Sequence, residues 1–286
     1  MSSEWTAEKI TLADRLTIFV GTIGKSLSDR IIYAGQLAAF SLSTFYWLFA
    51  RPAKKETLVG ACYRIGVQSL PVIMLTGTFI GMVLAVQTHP QFKAVGLESR
   101  LGAAINLSLV KELGPVLAAT MLAGRIGSSI AAELGTMRVT EQIDALASMG
   151  PNPIHYLVVP RFIACLFMIP GLTIMADAMG VLGGAFFSIK LLGVDWGYYW
   201  DYSRHAVSQY DVFAGMFKSI FFGGAIALVS CYHGFNCDAG AEGVGKASTR
   251  SFVVSFVMIL LLDLLLGIFL DKIHVAWFGG GAKSVV

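Results

Sequence analysis

Long apolar runs recur through this chain, and they restrict its fold more than any other feature. A helical run of roughly 20 apolar residues matches the hydrocarbon core of a bilayer. Of the 286 residues, 56% are hydrophobic and 14% are charged, whereas soluble domains carry about a quarter charged residues. Lipid must therefore solvate part of the surface, and the pattern predicts an all-α integral membrane protein. The five clearest predicted spans are residues 69–89, 101–124, 157–189, 211–235 and 252–270.

The first 50 residues differ from the rest of the chain. Residues 5–30 mix apolar and charged side chains, which is typical of an amphipathic segment on a membrane surface. Residues 31–50 are uncharged and could span, but the aromatic cluster Phe45, Tyr46 and Trp47 favours an interfacial or half-inserted helix. We therefore divide the chain into an N-terminal interfacial segment, 1–50, and a transmembrane domain, 51–286.

Lys and Arg residues set the predicted orientation. Cytoplasmic loops carry an excess of these residues, and here the division between the two sides is about two to one. This distribution places the polar block at 133–155 in the cytoplasm and the C-terminus on the opposite side. The net charge of +3 is small and scattered, so we expect no nucleic-acid partner.

The polar block carries an apolar stripe at helical spacing over residues 134–149, followed by Pro151 and Pro153. A short amphipathic helix between two spans is the geometry of a coupling helix, which docks on an ATPase. The alternative is a surface helix that rests on the bilayer. The candidate ATPase-coupling residues are Glu133, Arg138, Glu141, Gln142, Leu146 and Met149.

Residues 240–246, GAEGVGK, match the phosphate-binding loop of nucleotide-binding proteins, but we do not expect them to bind a nucleotide. The motif requires Ser or Thr next, to hold Mg²⁺, and this chain has Ala247. We interpret the segment as a glycine-rich cytoplasmic turn. We therefore predict that the subunit is not an enzyme and holds no cofactor. ATP and Mg would bind a separate ATPase.

Charged residues inside spans are costly unless they are paired or face a wet cavity, so they are candidate functional residues. Lys111, Glu112 and Lys218 are the candidate lipid-binding residues, and the alternative is a structural ion pair. The adjacent Gly114-Pro115 pair is expected to break its helix. Asp177 and Asp263 are predicted to be interhelical hydrogen-bond partners.

Small residues repeat at i, i+4 within the spans, which allows helix backbones to approach closely in lipid. The cysteines and histidines show no metal-ligand or catalytic spacing, and the cysteines are interpreted as small buried apolar side chains. The small-residue pairs are Gly77 and Gly81, Gly124 and Ser128, Gly180 and Gly184, and Gly223 and Ala227.

The segment from Glu112 to Gly150, ELGPVLAATMLAGRIGSSIAAELGTMRVTEQIDALASMG, resembles the core of the MlaE (YrbE-type) permease family. FKSIFFG around Lys218 and GAEGVGKASTRSFV around Gly243 also match that family's pattern. The resemblance implies an N-terminal interfacial helix plus five transmembrane helices and a cytoplasmic coupling helix. It also implies that Glu112 and Lys218 occupy polar cavity positions.

The resemblance further implies a homodimer at the centre of an ABC transporter in the bacterial inner membrane. Its expected partners are a cytoplasmic ATPase pair, a periplasmic MCE-domain ring and a small STAS-domain protein. The implied cargo is phospholipid moving between inner and outer membranes, which maintains outer-membrane lipid asymmetry. Two alternatives stay open: an MCE-associated importer of another lipid such as a sterol, and an ATP-independent carrier or channel with Glu112, Asp177 and Lys218 as its path.

Overall fold

The protein is all helical, with no strand, over the residues that the computed structural model describes, which are 12–50, 52 and 54–278. Two short 3₁₀ turns, Val67–Ser69 and Glu98–Arg100, and three π-helical segments, Leu109–Leu113, Ala123–Gly127 and Ile154–Val158, join some of the α-helices. The α-helices are α1 (Leu12–Ala50), α2 (Lys55–Ile65), α3 (Leu70–Ala94), α4 (Leu101–Ser108), α5 (Gly114–Leu122), α6 (Ser128–Val139), α7 (Gln142–Ser148), α8 (Val159–Lys190), α9 (Trp196–Ala206), α10 (Gln209–Phe235) and α11 (Gly240–Phe278).

Six helical stretches in the described part of the chain are long and apolar enough to cross a membrane. Five contain the predicted spans, which confirms a multi-pass all-α membrane protein. The sixth, Leu27–Ala50, has a mean hydropathy of 1.2, against 2.8 for the last stretch. It belongs to the single helix α1, so whether it spans or lies in one leaflet stays a prediction, as does the domain boundary at residue 50. The stretches are Leu27–Ala50, Lys55–Ala94, Glu98–Val139, Ile154–Lys190, Gln209–Phe235 and Gly240–Ala276.

Helices α3 and α8 touch backbone to backbone, as the small-residue spacing predicted. A Cβ added to Gly77 would lie 2.5 Å from the carbonyl oxygen of Ala176, and one added to Gly81 would overlap the carbonyl oxygen of Gly180. We call this contact the glycine seam. Gly124 is different, because its added Cβ would meet only Phe252 at 3.5 Å, an ordinary contact distance.

One helix runs unbroken from Glu98 to Val139 and is here called the long rod. The predicted break at Gly114-Pro115 is wrong. Proline lacks an N–H and so cannot donate a helical hydrogen bond. The helix continues because it widens into the π-helical segment Leu109–Leu113, in which the N–H of Gly114 bonds to the carbonyl of Leu109. The rod therefore passes through the membrane with a local change in the direction of its side chains.

The predicted coupling helix at 134–149 is not one helix. Helix α6 ends at Val139, and Glu141 adopts a left-handed backbone conformation with φ of 58° before α7 begins at Gln142. Arg138 Nη1 donates to Asp144 Oδ1 at 2.6 Å across this turn. Glu133 and Arg138 thus belong to the end of the long rod, and α7 alone forms the separate short helix.

One further prediction needs correction, and one helix was not predicted. The segment at 240–246 is not a turn, because α11 begins at Gly240 and these residues form its first two turns. Helix α9 between two spans was not predicted. It packs on α4 through the buried Tyr199, and Asn106 Nδ2 donates to Ser203 Oγ at 2.9 Å. Burial raises the pKa of Tyr199 to about 12, so this phenol stays neutral.

Candidate functional site

Lys218 is the most deeply buried charged side chain in the described part of the chain, with 2% of it exposed. It lies on α10, which begins with a capping box in which Ser208 and Asp211 satisfy each other's backbone N–H groups. At 1.5 Å rise per residue, Lys218 lies roughly 14 Å from this start and roughly 25 Å from the other end of α10. Lys218 is therefore inside the membrane, on the side opposite the predicted cytoplasmic face.

Two carboxylates from two other helices contact the Lys218 ammonium. Nζ donates to Glu112 Oε2 at 2.6 Å and to Asp263 Oδ1 at 3.0 Å. The Glu112 side chain is 44% exposed and that of Asp263 is 23% exposed, so both remain accessible beside the buried cation. We call these three residues the Lys218 cluster. It joins the long rod, α10 and α11.

The π-helical segment sends Lys111 and Glu112 towards partners on different helices, α11 for Lys111 and α10 for Glu112. Glu112 reaches Lys218, whereas Lys111 Nζ donates to Asp271 Oδ1 at 3.2 Å on the surface. Asp263 and Asp271 are eight residues apart, which places them about two turns apart on one side of α11. The structure therefore brings Glu112 and Lys218 together, as an ion pair, and places Lys111 in a separate pair.

The two aspartates inside spans differ. Asp263 bonds across helices to Lys218, so its prediction is confirmed. The prediction for Asp177 is wrong for its buried Oδ1, which has no hydrogen-bond partner among the described residues. That oxygen instead packs on Gly114, where an added Cβ would overlap it.

The Lys218 cluster combines polar groups with an apolar surround. An ammonium has three donors, and two of them are used here, so one has no carboxylate partner. The same two helices, α10 and α11, carry exposed apolar side chains, including Phe213, Leu260 and Leu264. A molecule with a polar head and apolar tails fits these surroundings. Among the described residues, no group of three His, Cys, Asp or Glu side chains could hold a metal ion.

The candidate coupling residues divide into two groups at the opposite end of the long rod. Glu133 points inward, where its Oε1 accepts from Arg64 at 2.9 Å and lies 3.0 Å from Arg161 Nη2. Leu146 packs against the core, whereas Met149 is 72% exposed. Arg138, Glu141 and Gln142 form the turn into α7. The surface formed by this turn and α7 is called the α7 surface below.

Sequence reasoning predicted Asp263 as an interhelical hydrogen-bond partner without identifying Lys218 as its partner, and it missed Asp271 as the partner of Lys111. Their spacing of eight residues on an apolar helix carries the signal, because it places two carboxylates on one helix side. Nothing in the sequence assigned them to Lys218 and Lys111 in particular.

Comparison with known proteins defines the class as the membrane-spanning permease subunit of an ABC transporter. The chain is 38% identical over 245 residues to a probable ABC transporter permease protein of Rickettsia felis, covering 86% of this chain and 95% of that protein. The sequence profile described as Permease MlaE matches residues 58–269, so the chain belongs to the MlaE permease family. Family membership overturns the alternative of an ATP-independent carrier or channel.

Two other relatives come from Haemophilus influenzae and Arabidopsis thaliana. The intermembrane phospholipid transport system permease protein MlaE of Haemophilus influenzae is 36% identical over 252 residues, covering 87% of this chain and 95% of that protein. The chloroplastic protein TRIGALACTOSYLDIACYLGLYCEROL 1 of Arabidopsis thaliana is 39% identical over 206 residues, covering 72% of this chain and 59% of that protein.

Proposed function

We propose that this permease moves phospholipids between the inner and outer membranes and so maintains outer-membrane lipid asymmetry. The observation that carries the proposal is the Lys218 cluster, a buried ammonium beside two accessible carboxylates on helices that also carry exposed apolar side chains. The ammonium would bind a headgroup phosphate, and the apolar faces of α10 and α11 would contact the acyl tails. The name of the Haemophilus relative supports a phospholipid as the cargo.

The proposed assembly contains two copies of this chain in the inner membrane. A separate cytoplasmic ATPase, with its ATP and Mg, would dock on the α7 surface and drive the permease. An MCE-domain ring on the other side would receive or deliver lipid, and a STAS-domain protein would bind the ATPase. The large exposed apolar face of α11 supports a second chain or lipid as its cover.

Photo-crosslinking tests the lipid site directly. A photoreactive residue in place of Gly267 would face the cluster, because a Cβ there lies 3.6 Å from Lys218 Nζ. We expect it to capture glycerophospholipid in cells that express the full transporter. A photoreactive residue at Leu182, an apolar position on α8 that is 56% exposed, reports bulk lipid as the control.

The neutralised triple variant Glu112→Gln, Lys218→Gln and Asp263→Asn makes the experiment decisive. It removes every charge of the cluster without leaving one unpaired. The adduct at position 267 should disappear while the adduct at position 182 persists. Equal adducts at both positions, insensitive to this variant, contradict a headgroup site. Capture of a sterol or another lipid class in place of phospholipid would show that the cargo is that lipid.

A further inference from the structure

A second charged site lies at the predicted cytoplasmic end of the long rod, in a cavity between α2, the rod and α8. The cavity has a volume of about 170 Å³. This is several times the volume that one water molecule needs, so the cavity has room for a tetrahedral oxyanion. Glu112 and Glu133 are separated by 21 positions of the rod, so the cavity and the Lys218 cluster are on the order of 30 Å apart.

The lining of this cavity has more positive than negative charge. Arg64, Arg125 and Arg161 line it together with one carboxylate, Glu133. Glu133 pairs with two of the arginines, and Arg161 Nη1 also donates to the carbonyl of Leu157 at 2.6 Å. Within the described residues, no carboxylate lies within 4.0 Å of Arg125. One guanidinium, with its donors, is therefore left for a ligand.

Ser69 supplies an independent indication of a ligand. Its side chain lines the same cavity and is 0% exposed, yet its hydroxyl has no hydrogen-bond partner among the described residues. A buried hydroxyl without a partner costs about 1–3 kcal/mol, so such groups are rare unless something binds them. An anion in the cavity would accept this hydrogen bond.

The backbone presents Arg125 in an unusual way. Arg125 lies inside the π-helical segment Ala123–Gly127, where the N–H of Ser128 bonds to the carbonyl of Ala123. π-Helical turns inside α-helices occur frequently at functional sites. The rod therefore has one such turn at Glu112 in the Lys218 cluster and a second one at Arg125.

The position of the cavity also indicates the source of the anion. Helix α2, which forms one wall, leaves Val59 67% exposed and Tyr63 56% exposed. Exposed apolar side chains beside arginines are typical of the interface where lipid headgroups lie. The cavity thus adjoins the headgroups of the predicted cytoplasmic leaflet.

We propose that this basic cavity binds a phosphate group, carried by a phospholipid headgroup of the adjoining leaflet or by free phosphate. Arg125 is the principal contact, Ser69 donates a hydrogen bond, and Arg64 and Arg161 add positive charge while Glu133 holds them in place. Arginine suits this role because its planar fork of N–H donors matches phosphate oxygens. The site is separate from the Lys218 cluster and does not depend on it.

Thermal unfolding of the purified full-length chain in detergent tests the proposal. The midpoint is measured during titration with sodium phosphate and, separately, with dihexanoyl phosphatidylglycerol, at constant ionic strength. We expect a saturable rise in the wild-type midpoint, because a ligand that binds the folded state stabilises it. Arg125→Gln should weaken the apparent affinity about tenfold, as expected for a lost charge-assisted hydrogen bond.

Two further variants separate binding from folding. Arg250→Gln removes the same charge from an exposed position on α11, outside the cavity, and should leave the titration unchanged. Ser69→Ala should leave the ligand-free midpoint equal or higher, because it removes a buried hydroxyl without a partner, and yet reduce the ligand-induced shift. A purely structural Ser69 would show the opposite pattern.

Each outcome assigns or rejects the site. A shift with phosphate alone, lost in Arg125→Gln, assigns it to a free anion. A shift with the lipid that requires Arg125, at lower concentration than phosphate, assigns it to a headgroup. No wild-type shift with either probe, or equal shifts in wild type and Arg125→Gln, overturns the proposal. This binding measurement is independent of the crosslinking at position 267, so the two proposals fail separately.

Discussion

The two charged sites of the long rod are built with opposite charge ratios. In the Lys218 cluster, one buried ammonium lies between Glu112 and Asp263. In the basic cavity, one carboxylate, Glu133, lies between two arginines, and Arg125 has no carboxylate within 4.0 Å among the described residues. Burial differs as well, because the Lys218 side chain is 2% exposed and that of Arg64 is 64% exposed. The first site must keep its ion pairs to remain folded, and its proposed ligand would use the one donor of Lys218 that they leave, whereas the second offers a whole guanidinium.

The largest expected effect is on the Lys218 cluster. Glu112→Gln combined with Asp263→Asn leaves the buried ammonium without a counter-charge, which costs about 3–5 kcal/mol when a buried pair is broken this way. We expect a strong loss of thermal stability and of folded yield in detergent. Adding Lys218→Gln should restore most of both. An unchanged unfolding midpoint in the double variant would show that Lys218 is not held by these carboxylates.

Glu133→Gln tests the opposite charge ratio and should have a smaller effect. Among the described residues it removes the one carboxylate that lines the basic cavity, and its partner Arg64 is 64% exposed and remains hydrated, so we expect a loss of about 1–2 kcal/mol. Phosphate affinity should rise, because a competing negative charge is gone. Thermal unfolding with and without phosphate measures both quantities. A weaker affinity in Glu133→Gln would contradict an anion site.

Asp271→Asn provides the surface counterpart of the buried pairs. It breaks the pair with Lys111, whose side chain is 36% exposed while that of Asp271 is 64% exposed. Exposed ion pairs contribute about 0–1 kcal/mol, so the unfolding midpoint should change little and less at high salt. A loss of stability as large as that of the Glu112 and Asp263 double variant would contradict the assignment of Lys111 to an exposed pair and Lys218 to a buried one.

Met149→Asp should affect stability least of all. Met149 is 72% exposed on the α7 surface, and exposed substitutions usually change stability by less than about 0.5 kcal/mol. We nevertheless expect the ATPase to be lost in co-purification, because the apolar contact is replaced by a charge. Leu97→Asp is the control, because Leu97 is exposed and follows the C-terminal end of α3, away from the α7 surface. Equal recovery of the ATPase with both variants would remove α7 from the docking surface.

The sequence predicted the five clearest spans and the close helix contacts at small residues, because both depend on local composition and spacing. It also indicated that Glu112 and Lys218 would find partners, since charges in apolar spans are costly alone; the structure shows the ion pair that was one of the two alternatives, and the lipid-binding role stays a prediction. It could not predict the π-helical segments, because a helix can respond to proline by breaking or by widening, and only tertiary packing selects one. The turn at Glu141 was missed for a related reason, since the apolar stripe continues through it.

The glycine seam has a mechanical consequence for transport. Where a carbonyl of one helix lies against the α-carbon of the other, as at Gly81 and Gly180, sliding is blocked by hard atomic overlap and not by soft side chains. We therefore expect helices α3 and α8 to move as one block during a transport cycle. The elements expected to move are then those with mostly exposed surfaces, above all α11, which carries Asp263. Each cycle that shifts α11 against this block would stretch or release the contact between Asp263 and Lys218.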